Sequence, residues 1–285
     1  MSVAVVGQGE VLAGIGRGRD VRVSAYVLRR GEAVVRALEG AARRGARVSV
    51  RMEGQPYADA RGEMARGNRA VAKELRGFGA SVTLAGARAE PVHMKAVLVD
   101  GIAYLDDRNF PSGGRDTIVA TSDVQDVALV KAALDGNSGA DGHLATEKAE
   151  ALELEVTALR DGPGDRVDVE SEGFGFSPVS KALRERALGG AHVRLLVAAQ
   201  ELRNPGTEER RALAQLLDAG VTVRVGTTNE KLCVAGDRGW VGSANATFPE
   251  PILDWGMDVR SASVVDTLRT AFERNWDEAR PVALA

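Results

Sequence analysis

The sequence contains few of the residues that build disulfide-bonded or metal-dependent proteins. Cys233 is the only cysteine, so no disulfide can form within the chain, and a cytosolic location is the simplest interpretation. The three histidines, His93, His143 and His192, form no cluster with cysteine at metal-ligand spacing. We therefore expect neither a metal nor another cofactor.

Long apolar runs and a surplus of one charge are also absent. No stretch of about 18 apolar residues occurs, which argues against a membrane-spanning helix, and the N-terminus lacks the basic start of a signal peptide. Lysine and arginine number 37 against 40 aspartate and glutamate residues, which gives a net charge of −3. Nucleic acid is therefore the less favoured partner. We expect a cytoplasmic protein whose contacts with membranes, if it makes them, are peripheral.

Short β-branched segments alternate with helical patterns along most of the chain. Residues 21–28 read as a strand, residues 32–44 place apolar side chains at helical spacing, and residues 46–51 form the next strand. This rhythm predicts an α/β fold with parallel βαβ units. Two glycine-rich segments, residues 7–10 and 14–18, are interpreted as turns because neither has the full phosphate-loop fingerprint.

The second half of the chain repeats the pattern of the first. The strand at residues 191–198 matches the strand at residues 21–28, whereas a helix and a strand at residues 63–84 are predicted only in the first half. We predict an α/β arrangement of two similar βαβ-rich halves packed around a pseudo-twofold axis. The predicted divisions are a first half at residues 1–140, a linker at 141–164 and a second half at 165–285.

One spacing of polar residues occurs twice in the chain. A lysine follows the first motif residue by two positions and an asparagine follows it by sixteen, in the sets His93, Lys95, Asn109 and Asn229, Lys231, Asn245. Residues two apart share one face of a strand, and a hairpin would return the asparagine to the start of the motif. Each set is therefore predicted to converge in space.

These residues resemble the motif of the phospholipase D superfamily, which is written H-x-K-x4-D followed by G-S-x-N. The segment from His93 to Asp100 fits the first part, and the segment from Gly242 to Asn245 fits the second part. In that family an acidic residue after the motif often orients the motif histidine, and Asp116 and Asp254 occupy this place. The resemblance covers most of the chain outside the linker.

The resemblance implies a phosphodiester substrate and a covalent mechanism that needs no metal. In the family one motif histidine attacks phosphorus to form a phosphohistidine. The other protonates the leaving alcohol and then activates water or an acceptor alcohol. We expect His93 to be the nucleophile. Cations and hydrogen-bond donors are needed for the charge that develops on the phosphoryl oxygens; the candidates are Lys95, Lys231, Asn109, Asn245 and Ser243.

Both motifs also depart from the family pattern. Asn229 replaces the second histidine, and an asparagine side chain forms hydrogen bonds but does not transfer protons near neutral pH. Asp106 and Asp107 replace the Gly-Ser of the first motif, either as catalytic carboxylates or, with Arg108, as part of a solvated turn or a local ion pair. Asp100 is a motif residue of the candidate site that is also expected to stabilise a tight turn.

Three interpretations of the function stay open. In the first, the chain is an active phosphodiesterase that hydrolyses or transphosphatidylates its substrate, with a phospholipid favoured, and Asp106, Asp107, Glu230 or water carries the proton. In the second, the chain binds phosphate esters without turnover. In the third, a transferase or lyase-like variant takes the missing proton from its substrate. A nuclease of the same superfamily is a further alternative, and no obligatory protein partner is implied because one chain contains both motifs.

Overall fold

The computed structural model of this protein describes residues 3–57, 59–86, 91–110, 117–199, 208–227 and 229–282. The chain divides into two compact units. Unit 1 contains Met1–Asp141 and Pro251–Trp255, and unit 2 contains Gly142–Glu250 and Gly256–Ala285. The predicted α/β class with two similar βαβ-rich halves is confirmed. None of the helices in the described part of the chain has the length and apolar character needed to span a bilayer.

Unit 1 is a seven-stranded sheet with four helices. Strands β2, β3 and β4 pair in parallel, whereas β5, β6, β7 and β1 extend the sheet from β2 with antiparallel pairing, in the order β1-β7-β6-β5-β2-β3-β4. The elements are β1 (Val3–Val6), α1 (Gln8–Arg17), β2 (Asp20–Ala25), α2 (Ala33–Arg43), β3 (Arg47–Glu53), α3 (Glu63–Gly77), β4 (Ser81–Ala85), β5 (Ala96–Val99), β6 (Ile102–Asp106), β7 (Ile118–Thr121) and α4 (Val124–Leu134).

Helix α2 shows why these segments form their elements. Its apolar residues recur at helical spacing, so Val34, Val35 and Leu38 lie on one face and are fully buried in the core of unit 1. Gly45 follows the helix with a φ of 83°, a left-handed conformation that ends the helix and turns the chain into β3. The same core includes alternate side chains of β2, those of Val21, Val23 and Ala25.

Unit 2 repeats this architecture in an eight-stranded sheet. The elements are β8 (Leu144–Glu147), α5 (Lys148–Asp161), β9 (Arg166–Ser171), α6 (Pro178–Leu188), β10 (His192–Ala198), α7 (Glu208–Asp218), β11 (Thr222–Gly226), β12 (Leu232–Ala235), β13 (Arg238–Gly242), β14 (Leu253–Val259), α8 (Ala262–Glu278) and β15 (Arg280–Pro281). The strand order is β15-β11-β10-β9-β12-β13-β14-β8, with β9, β10 and β11 parallel and β12 joined to β9 with antiparallel pairing. The first three residues of β14 are counted with unit 1.

The strand orders correct the sequence-based alignment of the two halves. Strand β2 corresponds to β9 and β3 corresponds to β10, since each pair has the same neighbours in its sheet. The match of residues 21–28 with residues 191–198 was therefore wrong by one βα unit. Helix α3 and strand β4 likewise correspond to α7 and β11, so residues 63–84 are not an addition to the first half. The misalignment arose because consecutive βα units of one half have nearly the same apolar pattern.

Two segments that the sequence analysis assigned to a linker and to turns contain regular elements that repeat between the units. The proposed linker at residues 141–164 contains β8 and α5, which correspond to β1 and α1 of unit 1. The glycine-rich residues interpreted as turns contribute to α1 and its ends. A Cβ atom at Gly14 would lie 3.1 Å from the Tyr104 hydroxyl, and one at Gly18 would lie 2.5 Å from a methyl group of Val99. These glycines therefore allow a helix to approach the sheet closely, a cause that local sequence does not separate from a turn.

Candidate functional site

The segment that carries His93 is fixed by hydrogen bonds with the start of β14. The backbone amides of His93 and Met94 both donate to the carbonyl of Leu253, at 2.8 and 2.7 Å, and the Leu253 amide donates to the carbonyl of Pro91 at 2.9 Å. All of these residues belong to unit 1. The motif segment thus has a defined position before β5 begins, although it is not itself part of a regular strand.

His93 and Asp254 form a buried pair within unit 1. The His93 Nδ1 atom lies 3.0 Å from Asp254 Oδ2, and the two side chains are 8% and 2% exposed. The other carboxylate oxygen, Oδ1, accepts a hydrogen bond from the Trp255 amide at 3.1 Å. With Asp254 ionised, its carboxylate only accepts hydrogen bonds, so the proton of this contact is assigned to Nδ1 and the lone pair of the neutral ring to Nε2. This tautomer suits a nucleophile or a base.

The sequence alone did not indicate that Asp254 contacts His93. Asp254 follows the second motif, whose first residue is Asn229, but its carboxylate contacts the histidine of the first motif. Asp116, the corresponding acidic residue after the first motif, lies outside the described residues.

Two tyrosines pack around the His93 ring, and the motif lysine lies beside one of them. The Tyr26 ring meets it edge-on with a centroid distance of 5.1 Å, and the Tyr57 ring lies 5.8 Å away. The Tyr26 hydroxyl donates to the carbonyl of Tyr57 at 2.8 Å. The ammonium of Lys95, which is 2% exposed, lies 5.7 Å from the centre of the Tyr26 ring. A cation thus lies beside the same aromatic ring as the histidine, while Tyr57 remains 54% exposed.

The remaining polar residues of the first motif hold the backbone around the site. Asn109 Oδ1 accepts from the amide of Val27 at 3.1 Å, which ties the hairpin to the end of β2. Asp106 accepts from the amides of Arg108 and Phe110, at 3.1 and 2.6 Å. Both Asp106 and Asp107 are fully buried, so the interpretation of a solvated turn is wrong.

The carboxylates predicted near His93 have different positions. Asp106 uses both oxygens to cap a buried turn, whereas Asp107 Oδ1 accepts from the Thr117 amide at 3.2 Å. A catalytic role for Asp107 stays a prediction.

Asp100 follows β5 at the end opposite His93, with a φ of 47°. Its carboxylate accepts from the amides of Asp20 and Arg19, which hold its pKa below the ordinary value, and these contacts explain its role in the turn.

The second motif has a charged neighbour where the first has an aromatic ring. The Lys231 ammonium, 2% exposed, donates to Glu172 Oε2 at 2.6 Å and to the carbonyl of Asn229 at 2.7 Å. The Asn229 side chain is exposed. Asn245 Oδ1 accepts from the Gly173 amide at 2.9 Å, and Ser243 is fully buried. The residue types expected from the motif are therefore present in unit 2, but its lysine is already paired.

Buried carboxylates lie near this lysine and were only partly anticipated. Glu230, predicted as a proton carrier, is 3% exposed and pairs with Arg274 at 3.3 Å. Glu170 was not singled out; Asn275 donates to both of its oxygens, and burial together with the charge of Glu230 holds its pKa well above the ordinary value. Glu172 was also missed. Its position would have been evident from the sequence only with β9 aligned to β2.

Comparisons with known proteins find similarity through structure alone. Neither a family sequence model nor a curated protein sequence matches the chain. A polyphosphate kinase from Porphyromonas gingivalis superposes on 95% of this chain with a TM-score of 0.65 and 18% identity, and this chain spans 50% of that kinase. A phosphatidylserine synthase from Haemophilus influenzae Rd KW20 superposes on 98% with a TM-score of 0.69 and 8% identity, and this chain spans 87% of it. The TM-scores establish a shared fold, and with identities this low they establish nothing beyond the fold.

Proposed function

We propose that this protein, whose fold is that of the phospholipase D superfamily, is an enzyme that cleaves a phosphodiester by transferring the phosphoryl group to His93. The buried pair of His93 and Asp254 carries the proposal. A carboxylate on Nδ1 orients the ring, leaves the lone pair on Nε2 and stabilises the positive charge that the ring acquires on attack. The motif resemblance favours a phospholipid as the substrate.

In the first step Nε2 of His93 attacks phosphorus while the bond to the leaving oxygen breaks. The products are a phosphohistidine and an alkoxide or alcohol, which takes its proton from solvent or from a carboxyl group of the protein. Lys95 is buried beside the same ring system and supplies positive charge for the phosphoryl oxygens. Because water is largely excluded around Lys95, its charge is screened less than a surface charge would be.

In the second step water or an acceptor alcohol attacks the phosphohistidine, its proton passes to solvent or to a carboxylate of the protein, and the nitrogen–phosphorus bond breaks. Nδ1 keeps its proton in the contact with Asp254 throughout, so release of Nε2 restores the original tautomer. Participation of Lys231, Asn245 and Ser243 in binding phosphate stays a prediction from the motif. So does the identity of the group that carries the proton in place of the histidine missing at Asn229.

A second candidate function is binding of phosphate esters without turnover. It is favoured by Asn229, since an amide cannot perform the acid and base steps of the missing histidine. A nuclease of the same superfamily is a third candidate, and the net charge of −3 weighs against it. The two enzyme candidates share the phosphohistidine, so one experiment separates both from the binding protein.

The test is intact-protein mass spectrometry during brief incubation with bis-p-nitrophenyl phosphate. p-Nitrophenolate leaves without needing a proton, so the substrate does not depend on the missing histidine. We expect a nitrophenyl-phosphoryl adduct and a burst of nitrophenol from the natural protein, and neither from His93→Ala. His192→Ala, which removes a histidine that is exposed at the start of β10, should behave as the natural protein does.

Asp254→Asn separates the pair from the histidine alone. An asparagine in this place can hold the wrong tautomer and carries no charge, so we expect the burst rate to fall by roughly a hundredfold or more. An adduct that persists in His93→Ala would refute His93 as the nucleophile. Its absence from the natural protein with both this substrate and phospholipids would leave only the binding protein.

A further inference from the structure

We infer that Glu172 determines charge specificity at the second motif, favouring phosphodiesters with one negative charge over phosphate monoesters with two. This inference rests on the proposed function, because it assumes that Lys231 contacts the phosphate.

Glu172 occupies the position that Tyr26 has in unit 1. In unit 1, β2 pairs with β5 so that Ser24 faces Ala96, the residue after the motif lysine. In unit 2, β9 pairs with β12 so that Glu170 faces Leu232, again the residue after the motif lysine. Tyr26 lies two residues after Ser24, and Glu172 lies two residues after Glu170.

The motif asparagines verify this register independently. Asn109 accepts from the amide of Val27, and Asn245 accepts from the amide of Gly173. Each amide belongs to the residue directly after the position in question. Both halves therefore hold the end of the first central strand in the same way, and the exchange of a neutral ring for a carboxylate is a difference at one equivalent position.

The Lys231–Glu172 pair has no net charge when both groups are ionised. Their charged atoms are 2.6 Å apart, and the Glu172 side chain is 30% exposed whereas that of Lys231 is 2% exposed. The surface of the pair is thus largely carboxylate. Glu230 and its partner Arg274 also balance each other at 3.3 Å, so they add no net charge behind the lysine.

A phosphate that approaches Lys231 must therefore accept hydrogen bonds beside an anion. The Glu172 carboxylate repels the single charge of a diester, and it repels both charges of a monoester. For charges about 5 Å apart in a partly solvated site, the second repulsion corresponds to a change of roughly tenfold in the dissociation constant. Glu172 therefore weakens the binding of phosphate monoesters and inorganic phosphate more than the binding of diesters.

The test measures binding of two ligands that differ by one charge. Phenylphosphonate carries two charges at pH 8.5 and its monomethyl ester carries one, and isothermal titration calorimetry gives both dissociation constants. We expect Glu172→Gln, which keeps a hydrogen-bonding group beside Lys231, to tighten phenylphosphonate binding roughly tenfold more than binding of the ester. Glu185→Gln is the matched control. It removes the same charge from a side chain of unit 2 that is 47% exposed.

The outcomes distinguish this inference from the proposed function. Equal changes for both ligands in Glu172→Gln, or the same selective gain in Glu185→Gln, would overturn the role of Glu172 while the His93 adduct still supports the enzyme. In the double variant Glu172→Gln, Lys231→Met, the selective gain should disappear, and its survival would also refute the inference. If neither ligand binds the natural protein or Glu172→Gln and no His93 adduct forms, both proposals fall together.

Discussion

Glu155 offers the sharpest test of the packing of unit 2. It lies on α5 with its side chain in the core, where it is 1% exposed, and within the described residues its Oε2 atom has no hydrogen-bond partner. Burial raises its pKa from 4.5 to about 8. We predict that Glu155→Gln, which keeps the size and polarity of the side chain but cannot ionise, stabilises the protein at neutral and alkaline pH.

The magnitude follows from the difference in proton affinity between the folded and unfolded chain. Below pH 4.5 the carboxyl is protonated in both states, so it adds no pH dependence. Between pH 4.5 and about 8 the unfolded chain loses the proton and the folded chain keeps it, so stability falls as pH rises. At about 1.4 kcal/mol per pH unit, the loss is about 3 kcal/mol at pH 7 and about 5 kcal/mol at pH 8 and above.

The assay is urea unfolding followed by tryptophan fluorescence, performed on the natural protein and Glu155→Gln from pH 4.5 to pH 9. The difference in unfolding free energy between the two isolates this one group, since the other titrating residues are common to both. We expect the difference to grow from near zero to the values above and then level off. Glu153→Gln, which removes an exposed carboxylate two residues earlier on the same helix, should give a pH profile parallel to that of the natural protein. Parallel profiles for Glu155→Gln would refute a protonated, buried Glu155.

Two further predictions concern packing in each unit. The Asn68 side chain, fully buried on α3, makes hydrogen bonds to three backbone groups, so Asn68→Ala should lower the unfolding free energy by about 3 kcal/mol; a loss below about 1 kcal/mol in urea titrations would contradict these contacts. A Cβ atom at Gly256 would lie 2.6 Å from Nε1 of the buried Trp240, so Gly256→Ala should destabilise unit 2 by roughly 1–3 kcal/mol in thermal unfolding. The control is Gly67→Ala on α3, where an added Cβ atom would have nothing within 4 Å. In the same assay this variant should be neutral or stabilising.

The sequence predicted elements best where the pattern was long and locally consistent. Helix α2 was expected within residues 32–44 and strand β3 at residues 46–51, and the structure has them at Ala33–Arg43 and Arg47–Glu53. Helix α1 was missed because its glycines, which let the helix pack closely on Tyr104 and Val99, also signal a turn. The short strand β8 has four residues, too few for a period to be recognised.

The candidate site was predictable in its residue types but not in its pairings. Motif spacing selected His93, Lys95 and Asp254, and the structure places all three in unit 1 with His93 hydrogen-bonded to Asp254. Nothing in the spacing tells which histidine an acidic residue contacts, since that depends on how the start of β14 meets the segment before β5. Glu172 was missed for a related reason: its importance depends on a strand register, and an alignment shifted by one βα unit conceals it.

The presence of Glu172 at the position equivalent to Tyr26 also changes how the repeated spacing of Lys231 is interpreted. A buried ammonium needs a nearby negative charge or hydrogen-bond acceptors to offset the loss of hydration. In unit 2 the chain itself supplies them, through Glu172 and the carbonyl of Asn229. Lys231 can therefore be retained in its buried position without any bound phosphate, so its presence at the motif spacing does not by itself establish a phosphate site. The affinity difference between singly and doubly charged ligands is informative because it reports on the charge beside the lysine rather than on the lysine alone.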